Sequence, residues 1–409
     1  MKKTVTFGAV GDISFWKTGA ASVRQHGFEW PFAKMLPHLR RADLLFGNME
    51  SVTLPPDYPL EQADPGALVD AFDGTPALKE AGFDVMTLAN NHILDGGTAG
   101  MFHTRKIIEA LGIATIGVGR TQAEARRMRV LERNGIRFGF LAYAEDTSYT
   151  LGTRGPCHAY YTPENVLADV AANRRKVDVL VVSIHADLEF SETPSVPRRD
   201  LARRMARAGA TIILEHHPHV PQGIEVVDGS LIAYSLGNFF FPAYSMPYMR
   251  EHGPHTAHSF LLLAEVSRKG VESFARVPFQ IGRTPDERPV PLRGQGAAKM
   301  NKYLGKLDAL LQDDKQVRKN WRALALRHME LYIGRIQEGE YSRERVMGDI
   351  LCRLLLVAEN RLWVEEAFGA LREDWERQMR PVDPLHRPYF RIASRYSPGR
   401  PQKRNAPTR

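Results

Sequence analysis

Residues able to bind divalent cations recur just after apolar runs of this chain. Asp12 follows Thr4–Gly11, and Asn48 and Glu50 follow Leu44–Gly47. Asn90, Asn91 and His92 follow Val85–Ala89, with Asp95 three residues on. His185 closes Val179–Ile184 and precedes Asp187 and Glu189, and the run Glu215-His216-His217-Pro218-His219 closes Thr211–Leu214. In open α/β sheets, ligand sites gather at the carboxyl ends of strands. If these runs are strands, they deliver carboxylates, amides and imidazoles to one rim. A donor set of oxygen and nitrogen without thiolate suits Mn²⁺, Fe or Zn²⁺, with Mg²⁺ accommodated at an oxygen-rich position.

Each segment taken alone also has a structural reading. A histidine after a strand can be a satisfied core residue, and Asn-Asn-His or Gly-Asn can be turn chemistry. Asp95 either orients His92 or caps a helix beginning near Gly97. Ser235-Leu236-Gly237-Asn238 is either a turn or part of the site wall. Five segments with the same placement favour a shared metal site, and Pro218 stiffens the backbone between two imidazoles. His252, His255 and His258 sit on a Gly/Pro-containing stretch and are expected at the surface. His216 has no assigned role.

The elements that must position these residues are legible as a pattern. Val5–Val10, Leu44–Phe46, Val85–Leu88, Thr115–Val118, Phe138–Tyr143, Val179–Ile184, Thr211–Leu214, Leu231–Tyr234 and Phe260–Val266 read as buried strands. Helical periodicity fills 98–111 and 198–208, where Leu201, Met205 and Ala208 fall three or four apart. The expected fold is α/β, with a mixed sheet or a pair of sheets. Residues 282–296, with Pro285, Pro289 and Pro291, read as a linker. Beyond it 298–380 reads as an all-helical extension, with stripes at Leu304, Leu307, Leu310 and Leu311 and at Val346, Ile350, Leu354 and Val357. Trp321, Trp363 and Trp375 lie there and are expected in a core or interface.

Composition bounds the rest. At 409 residues, with 43% hydrophobic and 25% charged residues, the chain suits two domains of ordinary globular type. Its net charge is +8, but Arg387, Arg391, Arg395, Arg400, Lys403, Arg404 and Arg409 supply seven of those charges, so 1–383 carry only +1. Residues 384–409 are therefore expected to be a solvated, disordered basic tail. Such a tail could touch an acidic polymer, and it does not make the chain a nucleic-acid binder. Cys157 and Cys352 are too few for a disulfide framework or a thiolate zinc site. No apolar run approaches the ~18–20 residues of a membrane span, and Asp12 interrupts any signal-peptide core. A cytoplasmic protein is expected.

The motifs together resemble the CapA family of capsule synthesis proteins. They are Gly11-Asp12, Gly47-Asn48-Met49-Glu50, Asn90-Asn91-His92-x-x-Asp95, His185-x-x-x-Glu189, His217-Pro218-His219-Val220-x-x-Gly223 and Tyr234-Ser235-x-Gly237-Asn238-Phe239. The likeness spans about residues 4–270. That family is associated with poly-γ-glutamate, and its domain is similar to the calcineurin-like metallophosphoesterases. The resemblance implies a β-sandwich flanked by helices over 1–281, with the helical extension outside it. It also implies a site in which Glu50 bridges two metals, Asp12 and His219 complete one position, and Asn91, His185 and His217 complete the other. His92 would stand beside a substrate phosphate and move a proton, with Asn48, Asp95, Glu189 and Asn238 orienting these groups or touching substrate. Two positions depart from the phosphoesterase pattern: Ser14 replaces the histidine of Asp-x-His, and the longer Glu50 replaces the bridging aspartate. The implied function is a metal-dependent hydrolase of a phosphoester or related bond. The alternative is a non-catalytic assembly factor for a γ-glutamyl polymer or peptide, working with an amide-bond-forming partner enzyme.

Overall fold

The computed structural model describes residues 4–58, 67–145, 155–283, 286–337 and 358–379. The chain first lays down four parallel strands, β1 (Val5–Ile13), β2 (Leu44–Met49), β3 (Val85–Thr87) and β4 (Ala114–Ile116). It then crosses to a second sheet built from β5 (Arg129–Arg133), β6 (Ile136–Ala144), β7 (Val179–His185), β8 (Ile212–His216), β9 (Ile224–Val227) and β10 (Ser230–Ala233). It returns to the first sheet with β11 (Asn238–Phe240), β12 (His258–Ser267), β13 (Gly270–Ile281) and β14 (Pro289–Pro291). The first sheet runs β14-β13-β12-β1-β2-β3-β4, with β11 beside the end of β1. The second runs β9-β10-β8-β7-β6-β5.

Alternation along the strands explains why the sheets stack. Val5, Phe7 and Ala9 point to the space between the sheets, whereas Val10 and Ile13 point outward. In β6, Ile136, Phe138, Phe140 and Ala142 point inward, and Leu141 and Tyr143 outward. Phe7 stacks on Phe138 at 6.2 Å and Phe46 on Phe140 at 6.3 Å, so rings from both sheets interlock. Truncating one of these rings costs about 3–5 kcal/mol.

Helices cover both outer faces. Helix Gly97–Ala110 buries Met101 and Ile108 against the first sheet. Helices Pro163–Asn173 and Val196–Ala208 bury Val166, Val170, Leu201 and Met205 against the second. Thr162 and Ser195 cap these two helices by accepting from Asn165 N and Arg198 N, and Gly209, at φ 109°, ends the latter. This is the sandwich flanked by helices that the resemblance implies. Among the described residues no helix is long and apolar enough to cross a membrane.

The stretch expected as a linker carries strand β14. Helix Gly294–Leu310 follows, and its Met300, Leu304 and Leu307 join the core between the sheets. Helices Asp314–Gln337 and Ala358–Met379 then enclose Trp321, Ala325, Trp363, Val364 and Ala367. The stripe at Val346, Ile350, Leu354 and Val357, and the tail 384–409, lie outside the described residues, as does the Trp375 side chain. Five strands of the two sheets fall outside the expected set, namely β5, β9, β11, β13 and β14. β5 and β13 keep one face exposed and read as polar, and β11 and β14 have only three residues each.

One crossing demands glycine. Asp12 N donates to Gly237 O at 2.9 Å where β1 meets β11, and a Cβ on Gly11 would lie 1.7 Å from that oxygen. Gly11→Ala is therefore expected to lower stability by about 3 kcal/mol or more in a denaturant melt. Gly305→Ala, in a helix with open space around it, should be neutral or stabilising by up to about 1 kcal/mol. Equal melts for the two variants would refute the packing argument.

Candidate metal centre

The carboxyl ends of strands from both sheets converge on one buried rim. Asp12 and Asn48 are paired in register on β1 and β2, and Glu50 follows at once, its N–H donating to Ile13 O at 2.8 Å. His185 and His216 are paired at the ends of β7 and β8, and Asn238 lies beside Asp12 on β11. Asp12, Asn48, Glu50, His185, His216 and Asn238 are each 1% exposed or less.

Two groups of donors share Glu50. One is Glu50, His185 and His217, and the other is Asp12, Glu50 and His219; within each, one ligand atom per residue lies within 4.8 Å of the others. His185 Nε2 is 3.4 Å from Glu50 Oε1 and 3.2 Å from His217 Nδ1. Asn91 Oδ1 joins them, 2.8 Å from His185 Nε2. His219 Nε2 is 3.7 Å from Glu50 Oε1. These separations are close to the edge of a coordination tetrahedron with ~2.1 Å bonds, about 3.4 Å. Asp12 Oδ2 and both Glu50 oxygens are buried without a hydrogen-bond partner. An unpaired buried carboxylate costs several kcal/mol. Carboxylate oxygens and imidazole nitrogens converging in this way fit a divalent cation.

Neighbouring groups aim the donors. Asn238 Nδ2 donates to His219 O at 3.3 Å and Thr256 O at 3.0 Å, which turns its oxygen toward His219 Nδ1 at 2.9 Å. His219 Nδ1 therefore carries the proton, and Nε2 offers its lone pair toward Glu50. Asn48 Nδ2 donates to Asp12 Oδ1 at 2.8 Å and lies 3.1 Å from His185 Nδ1, linking a carboxylate of one sheet to an imidazole of the other. His216 Nδ1 lies 3.2 Å from the same Asp12 oxygen, so Oδ2 is the one left facing the centre. His217 and His219 hold φ of 98° and 57°, and Asp187 and Phe190 hold 98° and 61°. Such backbones cost about 1–3 kcal/mol each and cluster at functional sites.

At the rim, His92 Nδ1 lies 2.7 Å from Asp95 Oδ2, and the same oxygen accepts from Leu68 N at 2.7 Å. Asp95 thus orients His92, and the helix that starts at Gly97 has no side-chain cap. Glu189 sits 3.9 Å from His219 Nε2 and accepts from Tyr248 Oη. It groups with His217 and His219. Asn48 lies inside a strand and under the donors, which makes it an orienting group. Asn90 is the turn residue of its run, accepting from His92 N and donating to Met49 O. His252 stacks on Phe190 at 4.0 Å and His255 on Tyr303 at 4.0 Å. Two groups were missed. Glu145, 3.6 Å from His217 Nε2, follows strand β6 and carried the same strand-end signal as the others. His216 stood in the recognised run but had no motif partner.

The protonation pattern follows from burial and charge. Burial, then the charge of Asp12, pushes Glu50 well above the usual carboxyl range. Burial would raise Asp12 too, but the His216 and His219 contacts hold it well below. Burial, then the neighbouring His217, pulls His185 well down, and burial takes His217 to about 4. His219 is raised because Asp12 outweighs its burial. Burial thus favours the neutral imidazoles of His185 and His217, the form that offers a lone pair to a metal, and favours the protonated form of Glu50, with which a metal would compete.

Residues 6–243 match the family model described as "Bacterial capsule synthesis protein PGA_cap". The chain belongs to this family. Members similar to it include the "Capsule biosynthesis protein CapA" of Bacillus anthracis, 31% identical over 58% of this chain and 60% of that one. The "PGA biosynthesis protein CapA" of Bacillus subtilis (strain 168) is 29% identical over 69% of this chain and 73% of its own. The chain thus spans less than two thirds of the B. anthracis relative. Among solved structures it is similar to a hypothetical protein from Thermus thermophilus, at 14% identity and a TM-score of 0.41 over 67% of this chain and 99% of that one. It is also similar to the 5'-nucleotidase from Candida albicans, at 13% identity and a TM-score of 0.39 over 78% of this chain and 58% of that one. The PGA_cap match contains every donor named above and ends before β12, β13, β14 and the C-terminal helices.

Because Glu50 and His219 are both shifted upward, loading this PGA_cap member with Zn²⁺ or Mn²⁺ should release protons. Affinity should fall as pH is lowered. Calorimetry in buffers of different ionisation enthalpy reads the proton count directly, and Glu50→Gln should lower it. An unchanged count in Glu50→Gln would take Glu50 out of the centre.

Proposed function

We propose that the chain is a metal-dependent hydrolase of the metallophosphoesterase type, acting in the cytoplasm on a phosphoester or related bond within a CapA-like biosynthetic context. The observation that supports this most is the sharing of Glu50, with both oxygens unpartnered, between two donor groups. In this reading Asp12 and His219 hold one ion, Asn91, His185 and His217 hold the other, and Glu50 touches both. Two Mn²⁺, Fe or Zn²⁺ ions there would supply an activated water and polarise the bond to be broken. Ser14, whose buried hydroxyl has no hydrogen-bond partner, adds no imidazole to the Asp12 position, so that position has three protein donors and room for water or substrate. His92 is partly exposed and held through Nδ1 by Asp95, which leaves Nε2 as the atom that passes a proton to the leaving oxygen.

The test pairs elemental analysis with a panel of phosphomonoesters and phosphodiesters. About two metals per chain are expected, falling in Glu50→Ala and His217→Ala. His92→Ala should keep its metals and lose about 10²–10⁴-fold in kcat. Full activity in His92→Ala would sink the proton-transfer role, and absence of metal after reconstitution would sink the hydrolase itself.

A second reading has its own support in the relatives, whose names place them in capsule and PGA biosynthesis. Here the chain is an accessory that binds a γ-glutamyl polymer or peptide without turnover, beside an amide-bond-forming partner enzyme. Saturable binding of a γ-glutamyl oligomer by metal-loaded protein, with no hydrolysis across the panel, would favour it over the hydrolase.

A further inference from the structure

The segment between His185 and helix Val196–Ala208 is short and strained. Asp187 and Phe190 both occupy the left-handed region with Leu188 and Glu189 between them. Asp187 accepts from Leu188 N at 2.9 Å and from Ser195 N at 2.7 Å, closing the segment on itself. Phe190 N donates to Pro218 O at 2.8 Å, tying it to the His217–His219 turn. Two non-glycine residues in this conformation persist only where surrounding packing holds them.

Phe190 packs on His252 and Tyr248, whereas the packing on Leu188 comes from the C-terminal helices, outside the family match. Leu188 and Val196 pack against the cluster of Trp321, Ala325, Trp363, Val364 and Ala367, contributed by helices Asp314–Gln337 and Ala358–Met379. Trp363 is 1% exposed, although the helix also presents Phe368 at 61%. His328, on the first of these helices, lies 5.7 Å from the Trp363 ring. Burial pulls its imidazole down, and Glu189 and His252 are among the charges that act on it. Leu188 is anchored in this cluster, and Glu189, the next residue, faces His217 and His219.

We propose that Leu188 and Trp363 are positioning residues: the C-terminal helix pair grips Leu188 and so holds Glu189 against the His217–His219 side of the metal centre. The proposal rests on the reading of that rim as a metal site. It gives the helices a role in the chemistry that a separate appendage would not have. The Leu188 grip adds to the ties at Asp187 and Phe190 and to the hydrogen bond that Tyr248 Oη donates to Glu189, and without it the segment would hold the Glu189 carboxylate less rigidly against His217 and His219.

The test uses the full chain with Leu188→Ala, Trp363→Ala, Trp363→Phe and the exposed Phe368→Ser. Amide hydrogen exchange over residues 186–196 and the absorption spectrum and affinity of bound Co²⁺ are measured after circular dichroism confirms folding. Both alanine variants should speed exchange in 186–196 about tenfold or more while leaving β6 and β7 protected. They should also weaken Co²⁺ binding about tenfold, as loss of a supporting contact does. Trp363→Phe should restore both readouts, and Phe368→Ser should change neither. Faster exchange confined to 314–337 and 358–379, with 186–196 at its original rate, would overturn the proposal. An unchanged Co²⁺ spectrum in Glu189→Gln would overturn it as well, while the metal content of Glu50→Ala judges the hydrolase reading separately.

Discussion

Asp12 and Glu50 are two carboxylates buried together with oxygens that no hydrogen bond satisfies, and the surrounding structure is arranged around that fact. Leaving water costs each ion several kcal/mol, and like charge between them adds to the cost. Their protonation tendencies are driven apart: burial and the charge of Asp12 push Glu50 well above the usual carboxyl range, while His216 and His219 hold Asp12 well below it. A divalent cation would let both ionise. The neutral imidazoles of His185 and His217 and the amide of Asn91 are suited to complete its coordination. The same burial that makes the pair unfavourable without a cation makes it a strong ligand set with one.

Holding such a pair requires rigid supports, and these are visible in the backbone. Gly11 lets β1 pass so close to Gly237 that no side chain fits, which brings Asp12 beside Asn238. Asn238 then fixes the ring of His219. His217 and His219 sit at left-handed φ on either side of Pro218, His217 grouping with Glu50 and His185 and His219 with Asp12 and Glu50. The strain is local and its supports are packed, as expected where geometry matters more than stability.

Much of this was legible in the sequence because buried strands and their ends leave a clear signature. All nine apolar runs became strands, and the ligand candidates after them reached one rim. What was not legible obeys other physics. β5 and β13 are half-exposed and carry Arg, Glu and Ser among their residues, so apolar content gave no cue. The Pro-rich stretch before residue 296 read as a linker, yet an edge strand tolerates proline because one side of its backbone needs no partner. Glu145 carried the same strand-end signal as the other donors but belongs to none of the motifs behind the resemblance. Glu189 meets His217 and His219, which come from another segment of the chain, and spacing along the sequence cannot reveal that grouping.

The placement of Asn48 shows why core and chemistry are not separable here. It stands on the first sheet, donates to Asp12 on that sheet and contacts His185 on the second. The rings of Phe7 and Phe46 on β1 and β2 interlock with those of Phe138 and Phe140 on β6, the neighbour of the β7 strand that carries His185. Any change in the spacing of the sheets changes the gap that Asn48 must bridge, and with it the separation of the two donor groups across Glu50. A cavity in the aromatic layer would therefore reach the metal centre through one amide, although none of the four rings is itself a ligand. The packing of the sandwich core, ordinarily a matter of stability, is thereby also a condition on the geometry of the candidate metal centre.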